Sequence, residues 1–417
     1  MPQFIINGRK KLSGIIEVNG AKNDAVVILA ASILTRSKVS INNVPDIEDI
    51  KRVAELLADL GVEVVKFKNK EYSICAKNIK QTNINSEIAK RIRASILLTA
   101  PILAREGRVT FPHPGGCVIG ERPINIFLEG YSAMGAKIDY KNEKYFITAS
   151  KLKGVKFVFG SISVTGTEAM IMAAVLAEGI TILKNCACEP EVVSLASFLN
   201  QSGASIKGAG TSEIIIKGVK KLKGGYHKTI PDRVEAGGFA MLAAATGSQL
   251  TIKKCDPDHL DSLLDFMKKS GIGIRTGSDF IEVIPSEVMT AIGVKTREYP
   301  GFPTDLQSPW CVLLTQAEGQ ALVHETIYEG RLNWTDELKR MGANILTLDL
   351  HRIEIRGPTK LRGREIESPD IRAGMAYIIA ALCADGRSVI NNVYQIDRGY
   401  EKIEERLQKI GADIRRV

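Results

Sequence analysis

One motif recurs six times along the chain and limits what it can fold into. It is a glycine followed by Ala, Val or Ile, a variable residue, and Ile or Val. It appears as LGVEV at Gly61, MGAKI at Gly135, SGASI at Gly203, SGIGI at Gly271, MGANI at Gly342 and IGADI at Gly411. The period is about 70 residues, room for a complete supersecondary unit. Each glycine follows an amphipathic run, where a left-handed helix cap is wanted, and precedes β-prone residues. Upstream in each unit lies an Ala-rich segment: NDAVVILAASIL, RASILLTAPILA, EAMIMAAVLAEG, EAGGFAMLAAATG, LQSPWCVLLTQAEG and IRAGMAYIIAALCADG. Helices apolar around most of their girth belong in an interior. The second helices, such as DIEDIKRVAELLADL, carry charge and should face water. Strand-like stretches follow the first helix (KVSINNV, RVTFPHP, ITILKNC, SVINNVY), and a further strand joins successive units. The pattern predicts an α/β chain with sheets outside and Ala-rich helices inside.

A chain of 417 residues exceeds one simple core, so two domains of three units each are expected. The division should fall near Tyr226–Asp232, YHKTIPD. The final strand ADIRRV and the opening PQFIINGRKKLSG are expected to pair within the second domain. The expected domains are therefore 20–229, and 1–19 with 230–417. The chain would cross between them at about Gly20 and again near Thr229, and two crossings make a hinge.

Composition narrows the function. Apolar residues make up 45% and charged residues 25%, which is ordinary for a globular protein. The opening MPQFIINGRKKLSG has no apolar core of signal-peptide length, and charges or glycines interrupt every later apolar run. A cytoplasmic protein with no membrane partner is expected. Seven cysteines (Cys75, Cys117, Cys186, Cys188, Cys255, Cys311 and Cys383) are scattered without a CxxC pair, which reads as reduced thiols and no metal set. The net charge of +9 is spread through the chain with no basic run carrying interleaved aromatics. That pattern argues against nucleic acid and suits a site that collects small polyanions.

The polar residues that recur in register are the candidates for chemistry. At the start of the Ala-rich helices stand Lys22 and Asn23, Arg93, Thr167 and Glu168, Arg233, Asp305 and Arg372. Helix starts attract anions through free N–H groups and positive potential. The loops after the next strand carry Asp49, Cys117, Glu189, Asp258, Arg331 and Arg398. If three units surround an axis, both sets gather at one end of each domain. Two such ends facing each other would make a cleft lined by Lys22, Arg93, Arg122, Arg331, Arg372 and Arg398. The alternative is that these groups cap helices and pair locally with Glu189, Asp370 or Asp397, a reading that suits Arg233, Glu189 and Asp258 best. In PGGCVIGERP, a thiol at Cys117 lies between the Gly115–Gly116 pair and the planar fork of Arg122. That combination points to chemistry on an acidic small molecule.

These motifs resemble the enolpyruvyl transferases along the whole chain. The residues that carry the resemblance are GAKND at Gly20–Asp24, RAS at Arg93–Ser95, PGGCVIGERP, YPGFPTDLQ at Tyr299–Gln307 and E-x-x-x-E-x-R at Glu325–Arg331. PDIRAG at Pro369–Gly374 and IDRGYE at Ile396–Glu401 complete the set. The resemblance implies a two-domain inside-out α/β barrel built from six βαβαββ repeats. It implies transfer of the enolpyruvyl group of phosphoenolpyruvate to the 3-hydroxyl of UDP-N-acetylglucosamine, releasing phosphate, as the first committed step of peptidoglycan synthesis. The reaction would run by addition and elimination through a tetrahedral ketal, with no cofactor. Lys22, Arg122 and Arg398 would hold the phosphate and carboxylate of phosphoenolpyruvate. Asn23, Arg93 and Asp305 would contact the sugar nucleotide, Ile327 would present backbone to it, and Arg331 and Arg372 would line the site. Cys117 matches the cysteine that protonates or traps phosphoenolpyruvate and that fosfomycin alkylates.

The chemistry needs a proton delivered to the methylene carbon and one removed from the hydroxyl. A thiol of ordinary pKa, about 8.5, is mostly protonated at neutral pH and suits the first task. Asp305, the candidate base, should be stabilised as an anion at a helix start and so be a weak one. The chain departs from the family pattern where RPINIF places Asn125 and Phe127 at an acidic and a histidine position. It departs again at SISVTGTEA, and both regions meet the uridine half in the family. A sister transferase with another acceptor and a non-catalytic regulator are the competing readings. The cysteine loop with GAKND counts against the shikimate branch. Joint retention of Lys22, Cys117, Asp305 and Arg398 counts against the regulator.

Overall fold

The computed structural model describes residues 2–115 and 123–417, so Cys117 and Arg122 lie outside the described residues. All six motif glycines sit just past a helix in the left-handed region, with φ of +84°, +94°, +99°, +81°, +107° and +99° in chain order. At each one the next residue donates its N–H to the carbonyl five positions back. The bonds are Val62 to Leu57, Ala136 to Tyr131, Ala204 to Leu199, Ile272 to Met267, Ala343 to Leu338 and Ala412 to Leu407, at 2.9–3.1 Å. This bond consumes an orphan carbonyl and turns the chain out of the helix into a strand. The six accepting residues are wholly buried, so each cap also anchors its helix in the core.

The Ala-rich helices are interior. Helix Ile371–Cys383 buries every residue, and helix Arg233–Ala245 every residue after the first. With helix Thr304–Leu314 they pack on one another at the centre of one compact unit, formed by residues 2–19 and 231–417. In the other unit, residues 20–115 and 123–230, the same place is taken by helices Lys22–Ala31, Thr99–Glu106 and Val164–Ala174, together with a 3-10 segment. That segment, Arg93–Leu98, departs from the single helix expected over RASILLTAPILA. Pro101 has no N–H to give the Leu97 carbonyl and its ring crowds that position, so the α-helical ladder is interrupted there. The helix of the third repeat starts at Val164, capped by Ser163, whose Oγ accepts the Gly166 N–H at 3.1 Å. Thr167 and Glu168 therefore stand about a turn inside the helix rather than at its start.

Among the described residues six sheets cover these helices, three per unit. In five of them antiparallel strands of one repeat are joined, in parallel, by a linking strand. The sheet of Arg108–Pro112, Lys144–Thr148 and Lys137–Lys141 is wholly antiparallel, with a single parallel bridge from Asn83 to Thr110 in the linking place. Lys156–Val158 runs parallel to Ile180–Lys184, and Glu365–Glu367 to Arg387–Asn391. In residues 20–230, strand Gly225–Lys228 returns parallel to Val39–Asn42, so the last linking strand completes the first sheet. In the other unit Ser13–Glu17 does the same for Gln249–Lys253. Strand Phe4–Asn7 lies between Arg387–Asn391 and Asp413–Arg416, antiparallel to both. The chain thus has the inside-out α/β architecture of six βαβαββ repeats.

The second helices vary. Glu48–Asp59 buries Ile50, Val53, Leu56 and Leu57 and presents most of its charges outward, with Asp49 the buried exception. Pro190–Gln201, with few charges in PEVVSLASFLNQ, is mostly buried instead. Among the described residues, no helix is long and apolar enough to cross a membrane, and no group of His, Cys, Asp and Glu is placed to hold a metal.

Candidate active site

In the unit of residues 231–417, three residues chosen from the sequence form one ionic cluster. Asp305, second residue of its helix, accepts from Arg331 at 2.7 Å on Oδ1 and from Arg372 at 2.8 Å on Oδ2. Arg331 comes from the loop after strand Gly319–His324, and Arg372 from the second position of helix Ile371–Cys383. Burial alone would raise the carboxyl, but the charges of Arg372 and Arg331 and their hydrogen bonds outweigh it and hold Asp305 well below the usual carboxylate range. Burial works against both guanidinium charges in turn, and Asp305 more than offsets it, leaving both pushed up. The cluster carries one net positive charge on the side chains of two repeats. Pro309, inside the same helix, has no N–H for the Asp305 carbonyl, so that oxygen is not claimed by the helix ladder.

Glu325 holds this region in shape. It is wholly buried and accepts from Thr296 Oγ1 at 3.0 Å, Thr304 Oγ1 at 2.9 Å, and the N–H groups of Ile327 at 2.8 Å and Tyr328 at 3.3 Å. It thereby ties the end of a strand to the first residue of the Asp305 helix and folds the loop that carries Ile327. The Ile327 N–H is thereby engaged within its own loop. Asp370 caps the neighbouring helix, accepting from the Arg372 N–H at 2.7 Å and the Ala373 N–H at 3.1 Å. Arg398 is buried and donates to Gln395 at 3.0 Å. Its neighbour Asp397 gives both oxygens to Arg416, at 2.7 and 2.9 Å. Arg416 also binds Glu404 and lies over the Phe4 ring.

In the unit of residues 20–230, Lys22 and Asn23 are the first residues of their helix, and Lys22 Nζ lies 3.3 Å from the buried Asp49 carboxylate. Arg93 opens the 3-10 segment and reaches the Pro114 carbonyl at 3.5 Å, at the start of the stretch that contains Cys117. Gly115 is needed there for close approach rather than for a turn. A Cβ would fall 1.6 Å from the Lys90 carbonyl oxygen. Thr167 accepts the Ala187 N–H at 3.1 Å. Glu168 is pushed well up by burial and by the nearby carboxylates of Glu191, Glu189 and Asp24, so it does not belong to an anion-binding set. Phe127 is packed into the core of this unit.

The remaining candidates do local work. Arg233 lies over the Tyr299 ring, 5.4 Å from its centroid, and Asp258 gives its N–H to the capping Asp256. Glu325 and the Asp24–His227 pair are what sequence reasoning passed over. Glu325 lay in plain view within E-x-x-x-E-x-R and Thr304 within YPGFPTDLQ, but nothing local links the two motifs, and the third partner, Thr296, belongs to none.

The family model described as EPSP synthase (3-phosphoshikimate 1-carboxyvinyltransferase) matches residues 6–407. A curated protein named UDP-N-acetylglucosamine 1-carboxyvinyltransferase from Acidobacterium capsulatum is 44% identical over 422 residues, covering 100% of this chain and 96% of that one. A protein of the same name from Desulfosudis oleivorans is 42% identical over 417 residues, covering 100% of both. Among solved structures, the enolpyruvyl transferase NikO from Streptomyces tendae superposes with a TM-score of 0.91 at 22% identity, covering 100% of this chain and 99% of that one. An EPSP synthase from Acinetobacter baumannii gives 0.77 at 21%, covering 100% of both chains. At such identities the structures speak for the fold, and the family rests on the full-length sequence matches: the chain belongs to the EPSP synthase family of enolpyruvyl transferases.

Proposed function

We infer that the chain transfers the enolpyruvyl group of phosphoenolpyruvate to the 3-hydroxyl of UDP-N-acetylglucosamine, releasing phosphate in the first committed step of peptidoglycan synthesis. The observation that carries this is identity of 42–44% along the whole chain with proteins named for that acceptor. Each compact unit is taken as one enolpyruvyl-transferase domain, and the residues assigned to substrate are drawn from both. Both substrates are charged, water-soluble metabolites, which puts the reaction in the cytoplasm.

In this reading Lys22, Arg122 and Arg398 hold the phosphate and carboxylate of phosphoenolpyruvate, where fixed cations offset charge developing on oxygen. Asn23, Arg93, Ile327, Arg331 and Arg372 engage the sugar nucleotide. Cys117 delivers a proton to the methylene carbon while the sugar oxygen bonds to the adjacent carbon and gives up its hydroxyl proton, for which Asp305 is the candidate acceptor. The ketal then loses a proton from the new methyl group and expels phosphate, restoring the double bond. Asp305, held as an anion by two arginines, is a weak base. Each of its oxygens keeps a lone pair beyond the arginine bonds, so it orients the 3-hydroxyl by accepting from it.

Phosphate release from phosphoenolpyruvate is measured with UDP-N-acetylglucosamine or with shikimate 3-phosphate as acceptor. Release only with the sugar nucleotide is expected, and release only with the shikimate would overturn the assignment. Cys117→Ala should abolish turnover, while Cys117→Asp, whose carboxyl can donate only once protonated, should retain activity that rises as pH falls and should resist thiol alkylation. Unchanged turnover in the Ala variant removes the thiol from the mechanism.

A further inference from the structure

We propose that Asp24 and His227 are a positioning pair that sets where Lys22 and Asn23 stand, an inference that rests on the substrate roles given to those two residues above. Asp24 is the third residue of helix Lys22–Ala31 and is completely buried. Its carboxylate does not cap its own helix. Oδ2 accepts instead from His227 Nε2 at 2.9 Å and from the Ile230 N–H at 3.0 Å. The Ile230 carbonyl in turn accepts the Ala21 N–H at 2.7 Å. Ile230 is therefore bound to the chain on both sides of Lys22 and Asn23, through Ala21 before them and Asp24 after them.

The far side of this tie is itself fixed. His227 lies in strand Gly225–Lys228, opposite Ile41, with its ring edge-on to Phe198 at 5.7 Å. Thr229 donates its N–H to the Asn42 carbonyl at 3.0 Å, and its own carbonyl accepts from Asn43 Nδ2 at 3.0 Å. A Cβ at Gly20 would fall 1.8 Å from the Asn43 carbonyl oxygen, so the start of the helix is seated directly on this strand end. The Lys22 ammonium is steered toward Asp49 at 3.3 Å. Its backbone is set by Ile230 and its head by Asp49. Because Asp24 accepts, His227 must carry its proton on Nε2. Neither side chain touches a reacting atom, and their effect passes through the backbone of the helix start. A shift of about 1 Å in a positioning group can cost about a hundredfold in rate, so a tie of this kind belongs to the catalytic geometry.

The test measures steady-state phosphate release by the full chain, together with amide exchange at Ala21 and Ile230. Asp24→Ala and His227→Phe should raise the KM for phosphoenolpyruvate about tenfold and speed exchange at Ile230. Asp24→Asn keeps an oxygen acceptor and His227→Gln keeps a nitrogen donor, so both should stay near wild type. His227→Phe preserves bulk and keeps the test decisive if Asp24→Ala fails to fold. Lowered melting temperatures with unchanged KM values in both disruptive variants would reduce the pair to a structural contact and overturn the proposal. If the wild-type protein releases no phosphate, the functional reading falls on its own account. Exchange at Ile230 then decides the tie, which faster exchange in His227→Phe upholds and unchanged exchange overturns.

Discussion

Between Arg331 and Arg372, the Asp305 carboxylate offsets two guanidinium charges that are themselves nearly shut off from water. Asp305→Asn keeps the shape and leaves those cations facing each other. Breaking a buried pair costs about 3–5 kcal/mol, and the lower end applies because Asp305 keeps 28% of its side chain exposed. Urea denaturation should therefore show a loss of about 3 kcal/mol at pH 7. The sign with pH follows from the direction of the shift. The folded carboxyl lies below its unfolded value of about 3.9, so its contribution is complete above that pH and is lost as pH falls further. Wild type and Asp305→Asn should converge below about pH 4, and parallel stability curves would contradict the ionic account. Arg398→Ala, at a buried site far along the chain from Lys22, should raise the KM for phosphoenolpyruvate with folding intact. A variant with normal kinetics would take Arg398 out of the site. Asp305 and Arg331 were legible because polar residues recur in register with the repeat. Asp24 and His227 were not, because a carboxylate in the first turn of a helix reads as a dipole partner and nothing local announces a histidine some two hundred residues away.

At the scale of the element, the helix caps are where sequence and structure meet most closely. A left-handed residue followed by an apolar one needs glycine first and a buried partner five residues back, and both requirements are written within a few residues of each other. Gly203 offers a clean measurement, since its φ is +99° and a Cβ there would meet nothing within 4 Å. Gly203→Ala should cost only the backbone term, about 1–2 kcal/mol by chemical denaturation. At Gly61 a Cβ would also press on Lys80, 2.5 Å from its Cγ and 2.8 Å from its Cβ, which the backbone holds in place, so a larger loss than at Gly203 is expected there. A loss below a few tenths of a kcal/mol at Gly203 would mean the left-handed cap is not what stops the helix. The Arg93 segment shows the limit of element-level reading. Apolar content marked RASILLTAPILA as one helix, whereas it divides into 3-10 and α pieces just before Pro101, a break that Pro309 does not impose on helix Thr304–Leu314. The linking strands were equally hidden, because Gly225–Lys228 finds its partner at Val39–Asn42 through the fold rather than through any local pattern.

For the molecule as a whole, connectivity imposes an order on assembly. Among the described residues, all the strands and helices of one unit fall between residues 20 and 230, and its last sheet partner, Gly225–Lys228, is made before the chain returns to the other unit at 231. The other unit opens with residues 2–19 and resumes only at 231. Strand Phe4–Asn7 is one of the two inner strands of its sheet, and its neighbours are Arg387–Asn391 and Asp413–Arg416, the last strands in the chain. Phe4 and Ile6 are wholly buried there, so this sheet cannot complete its core until synthesis is nearly over. Closing so long a loop adds little to the equilibrium cost, since loop entropy grows only with the logarithm of length. The consequence is kinetic instead, because non-local pairing waits for both partners and domains fold as units in the order they emerge. Chains arrested on the ribosome at Gly342 should therefore already yield a protease-resistant fragment close to residues 20–230, while the opening residues remain cleavable. Ile6→Ala, which should cost about 2–5 kcal/mol in the completed protein, should leave that early fragment unchanged. If resistance at residues 20–230 appears only in full-length chains, or if Ile6→Ala weakens it, the two units do not fold in sequence and the contiguous one depends on the other for its stability.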